Sequence, residues 1–149
     1  MTETYHAVQY TQYGGPEVLG VVELQAPHPG PREVLVRVRA AGVNPIAWKL
    51  RTGALAAMMP VEFPAVPGGD VADDVEETGD GVCGLTVGDE VFGSIGSGGY
   101  AELALAPAGQ LARKPEAVSC PGFRGVRDRV IKRSAGLPRL APSTPVRIR

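Results

Sequence analysis

The 149-residue chain has few aromatic residues and only two cysteines. It contains 3 Phe, 4 Tyr and 1 Trp, and Cys83 and Cys120 form neither a CxxC motif nor a disulfide framework. No apolar run approaches the length of a membrane-spanning helix. The first residues, MTETYHAV, lack the basic and then apolar pattern of a signal peptide. These absences argue against a disulfide-rich secreted protein and against a membrane protein, so the prediction is a cytoplasmic protein without a membrane partner.

Glycine and proline are plentiful, with 20 Gly and 14 Pro, which favours a turn-rich β protein over a helical bundle. The length suffices for one domain with a real core. Alternating and β-branched patterns predict short strands separated by turns, and these patterns indicate a small barrel or a sandwich. The predicted strands are residues 7–10, 18–25, 33–40, 71–77, 87–93 and 100–106, and residues 46–50 form a short helical turn.

Charge divides the chain near residue 118. Residues 1–118 hold 7 Lys and Arg against 15 Asp and Glu, a net charge of −8, whereas residues 119–149 hold 8 against one acid, a net charge of +7. Such an asymmetry indicates two physically different units. We expect residues 119–149 to be a basic Arg/Pro-rich tail, either disordered or the product of a frame-shift. A basic tail can bind nucleic acid, but the absence of an aromatic stacking platform argues against that function.

The stretch AAGVNPIAWKLR, residues 40–51, follows a predicted half-buried strand. Gly42 frees the backbone, and Asn44 precedes a proline and therefore avoids the helical region. A strand that ends in a turn bearing Asn44, Trp48 and Lys49 is a common way to present polar groups to a small ligand. The alternative is a surface turn in which Trp48 is a packing anchor and Lys49 is solvated.

Six stretches in order resemble the medium-chain dehydrogenase/reductase superfamily, in its zinc-free quinone oxidoreductase branch. The resemblance covers roughly residues 5–118. It implies a mainly β fold, a chaperonin-10-like (GroES-like) partly open β-barrel with short helices, which is the catalytic domain of that superfamily. The stretches are AAGVNPIAWKLRTG at 40–53, YGGPEVL at 13–19, PGPREVLVRV at 29–38, FPAVPGGD at 63–70, VGDEVFG at 87–93 and GGYAELALAP at 98–107.

The resemblance implies NADPH-dependent hydride transfer to a small-molecule substrate, a quinone or an enone. A homo-oligomer is possible under this resemblance. It implies that Asn44 faces both nicotinamide and substrate. An amide offers an acceptor and two donors without changing charge, although Asn44 could instead only shape the turn. Lys49 is the second catalytic candidate, as a positive charge near a developing oxyanion. Trp48 is a candidate cofactor contact, and Tyr13 is a candidate substrate contact beside Asn44.

The sequence predicts no zinc site. In zinc-dependent relatives Cys and His stand where this chain has Asn44 and Gly69, and the relatives' four-cysteine structural loop is missing. Zinc needs three or four N, S or O ligands in a defined arrangement. His6 and His28 lie far apart in sequence and have no partner at a ligand spacing.

Residues 96–101 fit GxGxxA but are interpreted as a turn, because residues 100–106 alternate as a strand and do not open a helix. We find no other strand–glycine loop–helix unit. The expected nucleotide-binding domain is therefore missing, and we expect the chain to be inactive by itself, so whether it is an enzyme stays open. The alternative is a non-catalytic truncated paralogue or an interaction module with a basic tail.

Asp73 and Asp74 are adjacent within a predicted strand. One of them must face inward, because side chains alternate with a period of two. A buried, unpaired carboxylate costs several kcal/mol or raises its own pKa. Either that strand is exposed, or the carboxylate destabilises the domain.

Overall fold

The computed structural model describes residues 3–115. The predictions made for residues 119–149 lie outside this range. The described elements are seven strands, one α-helix and two single 3-10 turns. They are β1 Thr4–Gln9, β2 Gly20–Gln25, β3 Glu33–Ala41, α1 Pro45–Arg51, β4 Asp70–Thr78, β5 Glu90–Ser94, β6 Leu103–Pro107 and β7 Leu111–Arg113, with 3-10 turns at Pro16–Val18 and Ala108–Gln110.

The strands form two antiparallel sheets. The larger sheet has the order β6-β3-β4-β5-β7, and β1 pairs with β2 in the smaller one. Isolated bridges from Ala7 to Ala101 and from Tyr10 to Ala65 tie β1 to the rest of the domain. Neither sheet closes on itself. The mainly β, partly open fold with a short helix that the sequence predicted is confirmed.

The core lies on one face of the larger sheet and consists mainly of small branched side chains. Val34 and Val36 of β3 pack with Val75 of β4 and Val91 of β5, and all four are at most 2% exposed. Leu35, between these two valines, lies on the opposite face of β3 and is also buried, at 7% exposed. With few aromatic residues available, these valines supply the packing that holds β3 in the middle of the sheet.

Asp73 of β4 is the exception in this core. It is fully buried between Val38 and Val91 on the neighbouring strands, and neither of its carboxylate oxygens has a hydrogen-bond partner among residues 3–115. Burial, with a smaller contribution from Asp74, raises its pKa from 3.8 to about 8. Asp74 faces the other way and pairs with Arg39. The prediction that one of the two aspartates faces inward is confirmed, and the alternative of an exposed strand is wrong.

Several boundaries differ from the sequence predictions: β1 covers Thr4–Gln9 rather than 7–10, β2 begins at Gly20 rather than at 18, and β5 covers Glu90–Ser94 rather than 87–93. The strand expected over residues 100–106 begins at Leu103, since Tyr100 and Ala101 belong to the loop before it. β7 was not predicted, because it has three residues and follows a proline and a 3-10 turn. Among residues 3–115, no helix is long and apolar enough to span a membrane.

Candidate functional site

A cleft of about 490 Å³ lies between helix α1, the loop that follows it, and two glycine-rich turns. Most of the side chains around it are apolar, which is the usual character of a small-molecule site, and the volume is in the usual range. Helix α1 contributes Ile46, Ala47 and Leu50. The other lining residues are Tyr10, Met59, Pro60, Val61, Glu62, Pro64, Ala65, Val66, Pro67, Gly68, Gly69, Gly96, Ser97 and Gly98.

The turn between β3 and α1 is held in place from both sides. The Gly42 N–H donates to the Asp70 carbonyl at 2.5 Å, and the Tyr100 hydroxyl donates to the Gly42 carbonyl at 3.2 Å. A side chain at position 42 would meet Asp70 Cβ at 2.7 Å, so this close approach requires glycine. The start of the helix is therefore fixed relative to β4 and to the loop before β6.

Asn44 is the N-cap of α1. It has extended backbone angles, its Oδ1 accepts from the Ile46 N–H at 3.1 Å, and Pro45 follows at the first helical position. Asn is among the strongest N-cap residues, and Pro is favoured at that next position. Because Oδ1 faces an N–H group, the Asn44 amide presents its NH₂ donors away from the helix. Asn44 thus shapes the turn, which was the alternative that the sequence left open, and its amide still carries two donors near the cleft-lining residue Ile46.

The loop on the far side of the cleft is braced by aromatic side chains. The Val61 N–H donates to the Tyr13 hydroxyl at 3.1 Å, and Phe63 packs edge-to-face between Tyr13 and Tyr10, at centroid distances of 4.9 and 5.7 Å. Tyr10 and Ala65 exchange two backbone hydrogen bonds of 3.0 and 2.9 Å. The loop wall is therefore supported by the segment that directly follows β1.

The third wall is made of two backbone segments hydrogen-bonded to each other. The Gly98 N–H donates to the Val66 carbonyl at 2.9 Å, and the Tyr100 N–H donates to the Pro67 carbonyl at 2.9 Å. Gly68 has a φ of +97°, and a Cβ there would meet the Tyr100 ring at 2.5 Å. As predicted, residues 96–101 form a loop that leads to a strand, not the strand-to-helix turn of a phosphate site.

The structure separates the four site residues that the sequence proposed. Asn44, Trp48 and Lys49 are all exposed, and none of them is among the residues that line the cleft. Asn44 caps the helix two residues before the cleft-lining Ile46, whereas Trp48 and Lys49 lie on other faces of α1. Lys49 Nζ lies 5.8 Å from the centroid of the Trp48 ring, within cation–π range. Tyr13 also does not line the cleft, and its hydroxyl accepts the Val61 N–H. The functional roles assigned to these residues stay predictions.

Sequence reasoning missed Tyr10, which lines the cleft and is only 4% exposed. Burial, and then the neighbouring Tyr13, raise the pKa of its hydroxyl above the ordinary value of 10.0, against a smaller opposing effect of Arg51. The signal that could have found it is the position of Tyr10 as the first polar aromatic residue after the alternation of β1, at the point where the chain leaves the sheet.

The described residues contain no group of three or more His, Cys, Asp or Glu side chains that could hold a metal ion. The amide oxygen of Asn44 accepts the Ile46 N–H and caps a helix, and Gly69 has no side chain to offer a metal. His6 and His28 are each paired with a separate carboxylate, Glu102 and Glu77. The donor set in this part of the chain does not fit a zinc ion.

Residues 30–116, more than half of the chain, match the family model described as the alcohol dehydrogenase GroES-like domain. The chloroplast envelope quinone oxidoreductase homolog of Arabidopsis thaliana is 37% identical over 118 residues, which are 76% of this chain and 36% of that protein. The quinone oxidoreductase of Mus musculus is 40% identical over 115 residues, 76% of this chain and 34% of that protein.

The fold is likewise similar to that of solved structures. The Escherichia coli quinone oxidoreductase complexed with NADPH superposes with a TM-score of 0.76 at 27% identity, over 89% of this chain and 41% of that one. The chain spans about a third of the length of the curated relatives named above. The likeness therefore concerns the domain that these relatives share with this chain.

Proposed function

This chain belongs to the alcohol dehydrogenase GroES-like domain family, and we propose that it provides the substrate-binding, catalytic domain of a zinc-free, NADPH-dependent quinone or enone oxidoreductase. Supporting this proposal are relatives named quinone oxidoreductases and an apolar cleft lined by Ile46, two residues after the helix-capping Asn44. The substrate is a small conjugated carbonyl compound. A cytoplasmic location stays a prediction from the sequence.

The observation that carries the proposal is the orientation of the Asn44 amide. Its oxygen is engaged by the Ile46 N–H, so its NH₂ group is the part left to a ligand. An amide NH₂ donates to a carbonyl oxygen, and it donates more strongly as that oxygen gains negative charge. Such a donor stabilises the enolate or hydroquinone oxyanion that forms when a conjugated carbonyl accepts hydride.

The cleft walls supply the rest of what the reaction needs from this domain. Ile46, Ala47 and Leu50 on one side and the loop from Met59 to Pro67 on the other form an apolar slot that a flat ring system fits. An apolar slot excludes water and strengthens the hydrogen bond that Asn44 donates. The chain's own contribution is thus to orient the ring and to hold its oxygen.

The cleft suits the nicotinamide end of NADPH, which when bound supplies the hydride. The carboxamide of that ring carries an oxygen that the Asn44 NH₂ group suits as a donor. In the part of the chain that the structure describes, the α-helix begins after Asn44 and not after a glycine turn, which is the usual grip for the diphosphate of a dinucleotide. We therefore expect this chain by itself to bind NADPH weakly, with a Kd above the micromolar range.

The test uses two substitutions at one position and a quinone as the probe. Asn44→Asp keeps a good N-cap acceptor and removes both donors, whereas Asn44→Ala removes the donors and the cap. We expect the purified chain to bind 2-methyl-1,4-naphthoquinone, measured by calorimetric titration. Asn44→Asp should raise the Kd about tenfold at an unchanged melting temperature, since it also places a negative charge near the carbonyl oxygen. Asn44→Ala should weaken binding and also lower stability by about 1 kcal/mol.

If Asn44→Asp bound the quinone with the same Kd as the wild type, Asn44 would not be a substrate-binding residue. Wild-type protein that binds no quinone would contradict the proposed function and favour the alternative, a non-catalytic interaction module. Oxidation of NADPH followed at 340 nm with quinone present then separates a domain that binds its substrate from one that also turns it over.

A further inference from the structure

We propose that Tyr10 is a second substrate-binding residue, whose hydroxyl donates a hydrogen bond to a carbonyl oxygen of the ligand in the cleft. This inference rests on the proposed function and deepens it. The sequence comparison of motifs pointed to Tyr13 as the tyrosine near the substrate, but the geometry assigns the two tyrosines different tasks.

The first argument is the pairing of the two hydroxyl groups. The Tyr13 hydroxyl accepts the Val61 N–H at 3.1 Å and thereby supports the loop, and Tyr13 does not line the cleft. Tyr10 does line it, and its hydroxyl has no hydrogen-bond partner within residues 3–115. A tyrosine hydroxyl usually finds a partner when it is buried.

The second argument is accessibility. Tyr10 as a residue is only 4% exposed, yet its hydroxyl oxygen is not among the fully buried, unpartnered polar atoms of the described chain, which are the two oxygens of Asp73. A hydroxyl oxygen that has no partner among residues 3–115 and lies outside this set keeps some accessible surface, and Tyr10 is a residue that lines the cleft. A ligand carbonyl there would give that hydroxyl the partner it otherwise finds in solvent.

The third argument is that the ring is held rigidly. Two backbone hydrogen bonds join Tyr10 to Ala65, and its ring packs edge-to-face on Phe63 at 5.7 Å. A donor on a fixed ring loses little conformational entropy when it binds a ligand. Because burial also raises the pKa of this hydroxyl, it stays a neutral donor throughout the ordinary pH range. Tyr10 lines the cleft, and Asn44 caps the helix that contributes another part of its lining, so a ligand with two carbonyl groups, such as a quinone, offers an acceptor to each donor.

The experiment compares Tyr10→Phe with Tyr13→Phe, using two probes of nearly the same shape. 2-Methyl-1,4-naphthoquinone has two carbonyl oxygens, and 2-methylnaphthalene has none. Tyr10→Phe should raise the Kd of the quinone about three- to tenfold, the effect of losing one neutral hydrogen bond, and should leave the Kd of the hydrocarbon unchanged. Its melting temperature should stay that of the wild type, because the ring and its packing remain. Tyr13→Phe should instead lower the melting temperature, because the Val61 N–H loses its acceptor. It should also raise the Kd of both probes by the same factor.

Equal quinone affinity of Tyr10→Phe and the wild type would overturn the inference, and so would equal weakening of both probes. If the wild type bound neither probe, the proposed function itself would fail, which is a distinguishable result. Should Tyr10→Phe not fold, 3-fluorotyrosine at position 10 keeps the ring and makes a stronger donor. It should tighten quinone binding about twofold and leave hydrocarbon binding unchanged, and no change in either Kd would again overturn the inference.

Discussion

Raising the pH from 5 to 7 should weaken this fold, because the buried carboxyl of Asp73 must keep a proton that the unfolded chain gives up. The side chain is fully buried between Val38 and Val91, and within the described part of the chain its oxygens have no hydrogen-bond partner. Its pKa is raised from 3.8 to about 8, chiefly by burial and further by Asp74. Between these two values the folded state binds one more proton than the unfolded state, so the free energy of unfolding falls as the pH rises.

The size of the effect follows from the two pKa values. One pKa unit corresponds to about 1.36 kcal/mol, so the stability lost between pH 5 and pH 7 is about 2.6 kcal/mol if Asp73 titrates alone. Above pH 8 both states are ionised and the loss levels off. A small domain with a urea m-value of about 2 kcal/mol/M would show this as a shift of about 1.3 M in the unfolding midpoint.

The assay is urea unfolding followed by circular dichroism at pH 5, 6, 7 and 8, on the wild type and on Asp73→Asn. The variant has nearly the same shape and cannot ionise, so its stability should vary much less over this range. His6 and His28, which pair with Glu102 and Glu77, are present in both proteins, and their contribution cancels in the difference. The range also lies above the titration of Glu102, whose pKa is lowered mainly by the backbone N–H of His6.

Asp74→Asn is the matched control. Asp74 neighbours Asp73 in sequence, faces the opposite side of β4 and pairs with Arg39. Its replacement should change the free energy of unfolding at every pH but keep most of the dependence of that free energy on pH. The reasoning would be refuted if the free energy of unfolding changed equally with pH in the wild type and in Asp73→Asn. Asp73 would then ionise in the folded state with the pKa that it has in the unfolded chain. The same result would follow if water reached Asp73.

Two further predictions concern Gly68, in the third wall of the cleft, and the zinc content of the protein. Gly68→Ala should lower the free energy of unfolding by about 2 kcal/mol, because φ is +97° and the new methyl group meets the Tyr100 ring and backbone. Gly84→Ala, with φ of +82° and open space around it, should cost about half as much, and equal losses in urea titrations would exclude the steric explanation. Elemental analysis after dialysis should find less than about 0.1 zinc per chain, because Asn44 and Gly69 cannot replace a Cys and a His as ligands. One zinc per chain would contradict this.

Most of the strands could be predicted from the sequence, because the β-branched alternation of residues 33–40 and the glycine and proline turns are local signals. The inward aspartate could also be predicted, since two adjacent residues of a strand cannot both face solvent when the strand is covered on one side. β7 could not, because its three residues owe their strand conformation to pairing with Val91, Phe92 and Gly93. Short strands of this kind depend on tertiary contacts rather than on their own pattern.

The candidate site was predictable in part. The motif placed Asn44 correctly at the turn before α1, but it could not decide which face of a seven-residue helix adjoins the cleft. The residues of this helix that line the cleft are Ile46, Ala47 and Leu50. Trp48 and Lys49, which the sequence proposed as functional residues, do not line it. The choice between two tyrosines three residues apart likewise depends on where the loop of residues 59–67 crosses the end of β1, which no local pattern contains.

The central place of β3 in the larger sheet has a consequence for how the chain folds as it is made. Leu35 pairs with Glu77 on one side and with Leu105 on the other. β3 therefore cannot pair until residues 42 and 70 positions further along the chain have been synthesised. Contacts between distant positions slow folding, and an unpaired β-rich segment is prone to aggregate while it waits. A nascent chain stopped before β6 would leave Val34 and Val36 uncovered along one edge. Synthesis of this domain should therefore benefit from holdase chaperones until Pro107 has emerged from the ribosome.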